Sequence, residues 1–515
     1  MRTEWQSWLL KPYGLFLILV MYSLTVSAQK RSLIDSLYYC AELQGTAAGG
    51  EYNPLWLNAN KYGLSSLKKT NGYVRVSLER PLSVDKKRKW GIGYGVDLAF
   101  AGGFTSRFVL HQAYVEGRWL KGVLTVGAKT FPMELKNMRL SSGSQALGIN
   151  ARPVPQVRLA LPDYWHIPGL RGWLALKGHI AFGKPTDDKW QEDFTQKVGK
   201  YTNNALLHTK AGYLKIGPKN ITVELGLEMA SQFGGETHRN YQGKWQMVPN
   251  NSGIGAFWKA FIPGGSDKGE TVYQNAEGNI LGAWVMRFNI DQKTWNLGLY
   301  ADKYFEDHSS MFMLDYDGYE PGKLYVRKDN RYVLYDFKDW MLGAELQLKT
   351  VDWLNRIVVE YLHTKYQSGP IYHDHTVNIA DHLGGTDSYY NHGIFTGWQH
   401  WGQVMGNPLY RSPLYNDNGQ ISVENNRFVA WHLGLSGEPI STLAYRLLAT
   451  YQTGYGTYAS PYLSRRYNLS LLAELSYQFP KGWSITGAFG MDKGRLLGEN
   501  YGVQLTIAKR GIWAR

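Results

Sequence analysis

The sequence predicts an all-β protein, a transmembrane antiparallel β-barrel of about 16–18 strands with long extracellular loops. Three observations carry that expectation. Strand-length segments alternate apolar or aromatic residues with Gly and polar ones, the chain opens on an export signal, and 36 Tyr and 19 Trp accompany 57 Gly in 515 residues. Tyr and Trp suit the membrane–water boundary, and Gly suits curved strands and turns.

At the N-terminus, Arg2 and Lys11 accompany an apolar run from Leu15 to Leu24, and Val26-Ser27-Ala28 offers a small-residue cleavage site. That is the layout of a secretory signal. Residues 1–28 are expected to be removed, leaving a single barrel domain over 29–515. Gln29 stands where a lipid-anchored protein would need Cys. No other stretch approaches the roughly 20 apolar residues of a spanning helix, and mean hydropathy is only -0.35. Barrel strands show half their residues to lipid and never raise a hydropathy window. The alternation therefore decides the class.

From Trp90 to Phe100, Trp90, Ile92, Tyr94, Val96, Leu98 and Phe100 alternate with Gly91, Gly93, Gly95, Asp97 and Ala99. The first set suits lipid and the second a wet lumen. The same alternation sets Ile221, Val223, Leu225, Leu227 and Met229 against Thr222, Glu224, Gly226, Glu228 and Ala230. It also sets Trp340, Leu342, Ala344, Leu346 and Leu348 against Gly343, Glu345, Gln347 and Lys349. Further strands are expected from Trp295 to Ala301, Val429 to Leu435, Tyr445 to Tyr451, Leu469 to Phe479 and Trp483 to Met491. Phe479-Pro480-Lys481-Gly482 reads as a tight periplasmic turn.

Longer stretches without alternation fall at about 132–155, 184–204, 232–252, 303–336 and 366–426. They are expected to be extracellular loops or inward-folded plugs, and the last is too long for a bare loop. At the C-terminus Tyr501, Val503, Leu505 and Ile507 alternate with Gly502, Gln504 and Thr506, and Trp513 keeps the parity. A terminal aromatic of this kind resembles the insertion signal read by the barrel-assembly machinery, although Ala514 and Arg515 follow it.

The formal net charge is +14, and removing the signal takes Arg2, Lys11 and Glu4 away with little effect on the excess. Such an excess favours an acidic partner, either anionic lipid headgroups or an acidic polymer, or else serves solubility and anchoring. The single Cys, Cys40, excludes a disulfide-stapled module. No nucleic-acid partner and no cofactor are expected.

Several segments together resemble the Wzi-type capsule-assembly family of outer-membrane barrels, over most of the mature chain. They are the run from Pro54 through Leu55-Trp56-Leu57-Asn58 to Gly63, Asn150-Ala151-Arg152-Pro153-Val154-Pro155, Phe305-Glu306-Asp307 and Gln367-Ser368-Gly369-Pro370. The most extended is Asp387-Ser388-Tyr389-Tyr390-Asn391-His392-Gly393, continuing through Gly397-Trp398 and Gly402 to Gly406-Asn407-Pro408-Leu409. The resemblance implies an outer-membrane barrel with lectin-like contacts to surface polysaccharide, which it helps to assemble or retain. In one respect the chain departs from the family, whose members carry a helical segment between signal and barrel. Here Ser32–Leu37 leaves room for a turn or two of helix before strand-like sequence at Tyr39–Gln44.

Sugar-binding proteins stack aromatic faces on pyranoses and flank them with hydrogen-bonding side chains. Trp398, His400 and Trp401, with Tyr389, Tyr390, Asn391 and Arg411 nearby in sequence, have that mixture; the alternative is a girdle or a loop packed into the lumen. Arg152, on a backbone stiffened by two prolines, could bind an acidic sugar bidentately or pair with a lumen carboxylate. His373-Asp374-His375 with Asp381-His382 has metal-ligating residue types, but adjacent strand residues point to opposite faces and no metal site is expected. Neither a nucleophile elbow nor a phosphate loop occurs, and Glu224, Glu228, Asp97 and Glu474 are expected to face the lumen without catalysis. The reading is a non-enzymatic barrel that binds surface polysaccharide, an acidic one by its own charge. The alternative is an outer-membrane porin for small solutes, with the same lipid face and an open lumen.

Overall fold

The computed structural model describes residues 36–262, 278–306, 314–315, 331–332, 339–367 and 387–513. The export segment, His373 to His382 and the last two residues lie outside them. Eighteen antiparallel strands make one sheet. They are β1 (Leu37–Gly49), β2 (Thr70–Arg80), β3 (Trp90–Gly102), β4 (Phe108–Trp119), β5 (Gly122–Ala128) and β6 (Gln156–His166). Then come β7 (Leu174–Gly183), β8 (Leu206–Ile216), β9 (Ile221–Phe233), β10 (Asn279–Asp291), β11 (Trp295–Glu306) and β12 (Trp340–Leu348). The circuit is completed by β13 (Arg356–His363), β14 (Arg427–Ile440), β15 (Leu443–Gly456), β16 (Pro461–Gln478), β17 (Trp483–Gly494) and β18 (Asn500–Trp513).

Each strand pairs with the next, and β1 pairs with both β2 and β18, Leu37 opposite Trp513 and Gly49 opposite Tyr501. The sheet is closed. Closure leaves no edge whose N–H and C=O groups would face lipid unpaired. Every strand expected from the alternation coincides with one of these elements, with Phe479 falling one residue past β16 and Lys349 one past β12. The β16–β17 turn runs through Pro480–Gly482, with Lys481 and Gly482 at positive φ and the Phe479 N–H donating to the Trp483 carbonyl at 2.8 Å.

The two faces follow the alternation. On β3, Trp90, Val96 and Phe100 are exposed while Gly91, Gly93, Gly95, Asp97 and Ala99 are buried. On β9, Ile221 and Leu225 are exposed, and Thr222, Glu224, Gly226, Glu228 and Ala230 are buried. An apolar set turned outward is the reverse of a soluble protein, and it identifies the solvent of that face as lipid. Aromatic rings mark both borders: Trp90 and Trp119 stack at 5.8 Å near one end, and Phe100 and Phe108 lie 5.4 Å apart near the other.

Short turns join the strands at the end that holds Leu37 and Trp513, and all the long connections lie at the opposite end. Outer-membrane barrels put short turns in the periplasm and long loops outside. The long-loop end is accordingly the outer one. Some of the stretches expected as loops carry more structure than periodicity suggested. The segment 184–204 contains a helix (Asp188–Thr195), and its Tyr201–Asn203 joins the hairpin of Glu236–Tyr241 and Lys244–Pro249 in a three-stranded sheet outside the barrel. Lys303 to Glu306 continue β11 and are buried. These pieces are too short and too polar for a periodic pattern to mark them.

Candidate functional site

Outer connections fold into the lumen, leaving a cavity of about 560 Å³ beside Glu224 and Arg287 and one of about 400 Å³ beside Arg75 and Glu474. The β1–β2 connection contains a single helical turn at Leu55–Asn58, buried throughout, whose Trp56 Nε1 donates to Thr450 Oγ1 at 3.1 Å. The next part of that connection docks on the β5–β6 connection: the Tyr62 N–H donates to the Ile149 carbonyl at 2.7 Å and the Gly63 N–H to the Asn150 carbonyl at 2.9 Å. The Asn150 amide in turn donates to the Val404 carbonyl at 3.0 Å, and the Asn407 amide donates to the Gly143 carbonyl at 3.0 Å. The Tyr390 N–H donates to Glu306 Oε1 at 2.5 Å. The resemblance segments at 54–63, 150–155, 305–306 and 387–409, far apart in the chain, thus meet as one plug, while Asp307 and Ser368 to Pro370 lie outside the described residues.

Two glycines show how closely these connections approach. Gly63, at φ +68°, sits where a Cβ would fall 2.4 Å from Arg152 Cγ. A Cβ on Gly406 would overlap the Tyr390 hydroxyl. Only glycine admits a backbone at these distances.

The plug settles where each expected site residue stands. Trp398 is 2% exposed and its Nε1–H donates to the Ala146 carbonyl at 2.8 Å. Tyr389 is fully buried and donates to Asp339 Oδ2 at 3.1 Å. Tyr390 stacks on Tyr410 at 3.9 Å, and its hydroxyl donates to the Gln145 carbonyl and accepts from the Asn407 N–H. Asn391 is a backbone clamp, donating to the Val423 carbonyl at 2.9 Å and accepting from the Val423 N–H at 2.8 Å. None of the three rings Trp398, Tyr389 and Tyr390 presents an open face in this arrangement. They form the plug's core.

His400, fully buried, pins two connections together. Nδ1 lies 2.9 Å from the Arg152 carbonyl, and Nε2 accepts from the Thr186 N–H at 3.1 Å. A carbonyl can only accept, so Nδ1 carries the proton and Nε2 the lone pair. Burial holds its pKa below the ordinary imidazole value and keeps the ring neutral.

Arg152 and Trp401 come together beside it. The guanidinium lies 4.4 Å from the Trp401 ring centre and donates to Ser106 Oγ at 3.0 Å and Thr105 Oγ1 at 2.7 Å. Burial lowers its pKa to about 10. Among the described residues no carboxylate forms an ion pair with it. Trp401 keeps partial exposure and donates from Nε1 to Thr186 Oγ1 at 3.2 Å.

Arg411 stands apart from this cluster. It pairs with Glu424 at 3.0 Å, donates to the Tyr415 carbonyl at 2.7 Å and lies 5.3 Å from the Tyr415 ring centre. It also lines a cavity of about 610 Å³ at the outer end, together with Arg466, Arg495, Tyr52, Glu51 and Glu499. Arg466 lies 4.0 Å over the Tyr462 ring and is exposed, as is Arg495. An adjoining hollow of about 310 Å³ shares these two arginines and adds Leu463 and Ser464. Among the described residues neither Arg466 nor Arg495 has a carboxylate within ion-pair distance.

Sequence reasoning missed Arg466 and Arg495. Strand parity places Arg466 on the inward face with Asn468 and Ser470, but only closure of the barrel brings the ends of β16 and β17 beside Tyr52 and Arg411. The lumen carboxylates behave as expected: Asp97 pairs with Arg75 at 2.6 Å, Glu224 with Lys215 at 3.2 Å and Glu474 with Arg446 at 2.7 Å. Glu228 accepts from the Tyr213 hydroxyl at 2.8 Å. No group of three or more His, Cys, Asp or Glu among the described residues is arranged to hold a metal ion.

Comparison with known proteins adds to this picture. The family model described as "Capsule assembly protein Wzi" matches residues 49–401. A similar solved structure is that of Wzi from Escherichia coli, described as an outer-membrane protein involved in group 1 capsule assembly and a carbohydrate-binding β-barrel. It aligns with a TM-score of 0.53 at 12% identity, covering 96% of this chain and 87% of that one. OpdQ of Pseudomonas aeruginosa aligns over 93% of this chain and 99% of its own at 8% identity, with a TM-score of 0.44. No curated protein sequence matches. Since the family model spans well over half of the sequence, and the fold is a closed eighteen-strand barrel with a lipid-facing exterior, the chain belongs to the Wzi capsule-assembly family of outer-membrane β-barrels.

Proposed function

We propose that this barrel binds an acidic surface polysaccharide at its outer end and so helps to keep the polymer on the cell. The observation that carries the reading is the convergence of Arg411, Arg466 and Arg495 on one outward cup, with the Tyr462 ring beneath Arg466. Guanidinium groups bind carboxylates bidentately, and tyrosine faces suit the apolar faces of sugar rings. Arg152 and the half-exposed Trp401 offer a second contact of the same chemistry. Behind the cup the lumen is occupied by the plug, which suits a binding surface better than a conduit. The carbohydrate-binding description of the E. coli protein points the same way.

The test is polysaccharide binding to purified, folded protein at low and high salt. Replacing Arg411, Arg466 and Arg495 together by Gln is expected to weaken binding of an acidic polymer about tenfold or more, each tenfold being about 1.4 kcal/mol. Salt should weaken the wild type in the same direction, because exposed charges are screened beyond about 8–10 Å. Unchanged affinity in the triple variant would move the site elsewhere. Absence of affinity for any acidic glycan, with a stable conductance in planar bilayers, would assign the protein to solute passage.

A further inference from the structure

Strand parity separates two neighbouring arginines at the outer end of β16. Arg466 turns into the cup, whereas Arg465 shares the outward parity of Tyr467, which is 45% exposed on the lipid face. Arg465 is not alone there. Its Cζ lies 5.9 Å from the ring centre of Tyr455, which follows the outward residues Tyr451 and Thr453 on β15. Lys365 Nζ lies 4.7 Å from the same ring. Arg427, at the start of β14, donates from Nε to the Lys365 carbonyl at 3.2 Å and stacks over Tyr458 at 3.7 Å.

These groups form a row across four adjacent strands, β13 to β16. The register places it: Tyr361, Trp431 and Tyr451 stand opposite one another as an outward aromatic row. Lys365 lies two residues past the end of β13, Arg427 opens β14 and Tyr455 lies next to the end of β15, each four residues in sequence from that row toward the outer rim, where the ladder shifts register at Arg427 and around Tyr455. At about 3.3 Å per residue and a strand tilt of about 40°, that is roughly 10 Å along the membrane normal beyond the ring band. Aromatic girdles sit at headgroup level, so the cations stand where the charged part of the outer leaflet begins. Among the described residues none of Lys365, Arg427 and Arg465 has a carboxylate within ion-pair distance. A row of three cations at the outer rim, with no carboxylate partner among the described residues, is matched in charge by the anionic groups of the membrane.

We infer that Lys365, Arg427 and Arg465 form a docking row for the phosphorylated headgroup of an outer-leaflet glycolipid, distinct from the inward cup. Arg binds phosphate oxygens through its planar fork and Lys as a point charge. The Tyr455 and Tyr458 rings hold the long side chains extended, which lowers the entropy lost on binding. The row would fix the barrel's lateral contacts with the leaflet while the cup remains free for polymer.

The experiment measures glycolipid bound to the full-length folded protein by native mass spectrometry in detergent. The probes are a lipid A-type glycolipid and the same molecule dephosphorylated, each at low and high salt. The triple variant K365Q/R427Q/R465Q is expected to bind the phosphorylated probe about tenfold more weakly, and the charge-keeping K365R/R427K/R465K to stay within about threefold of wild type. The dephosphorylated probe should not distinguish wild type from the Gln variant. Equal binding by wild type and Gln variant would overturn the proposal, as would indifference of the wild type to phosphate. So would loss of acidic-polysaccharide binding in the Gln variant with glycolipid binding intact, which would join the row to the cup. Should the Gln variant lose heat-modifiable migration, the charge-keeping variant and the wild type's phosphate dependence decide the matter.

Discussion

The guanidinium of Arg152 lies 4.4 Å from the centre of the Trp401 ring, joining the β5–β6 connection to the β13–β14 connection. Removing the ring by Trp401→Ala should cost about 0.5–2 kcal/mol of plug stability, the span of a partly desolvated cation–π contact. Barrel formation should be unaffected, because no ladder hydrogen bond is touched. Heat-modifiable migration should be normal, while proteolysis of the outer connections should accelerate.

Trp398→Ala should behave differently. Its ring is buried in the plug and its N–H is committed to the Ala146 carbonyl. Loss of a buried Trp costs about 3–5 kcal/mol, enough to loosen the plug. Planar-bilayer conductance should rise in Trp398→Ala and stay near wild type in Trp401→Ala.

Facing can be tested on β9. Leu225→Arg puts a charge on the exposed face and should cost about 2–4 kcal/mol near the bilayer midplane. Its neighbour Gly226 turns inward, where a Cβ would fall 2.4 Å from the Tyr213 ring. Gly226→Arg is therefore expected to be at least as harmful, but through a clash, so Gly226→Ala should share part of the defect while Leu225→Ala stays mild. Folding yields in lipid would reveal both mechanisms.

Deleting residues 511–515 should impair assembly. Gly511, Ile512 and Trp513 pair with Tyr39, Tyr38 and Leu37, the last rungs of the closing ladder, and their loss leaves strand edges unpaired in the membrane. The folded, heat-modifiable fraction should fall, and Trp513→Ala should show part of the effect.

Acidification should loosen the plug through His400. Neutral Nε2 accepts the Thr186 N–H, and a protonated ring could not. Because its folded pKa is depressed from the ordinary 6.5, the stability it contributes is complete above about pH 6.5 and is lost as pH falls below that, by up to about 1.4 kcal/mol per unit. Protease protection of the outer connections, followed from about pH 7.5 down to about pH 5, should decline. In His400→Gln the decline should be smaller.

What the sequence determined by itself was local and periodic. The alternation of Trp90 to Phe100 or Ile221 to Ala230 assigns a face to each residue, because successive strand side chains point in opposite directions. From that follow the lipid face, the inward carboxylates and a strand number within the expected range. The resemblance segments around Trp56, Arg152, Glu306 and Trp398 were also legible, as a set of short runs in order. What only the tertiary structure decided was contact between distant parts: that these runs pack together inside the barrel, and that Trp398 and Tyr390 are covered while Trp401 is half open. It also brought Arg466 and Arg495 to Arg411. Periodicity reports which way a side chain points from its own strand. Which connection folds inward depends on the hydrogen bonds it finds there, such as Asn150 to Val404, and these exist only once the sheet has closed around them.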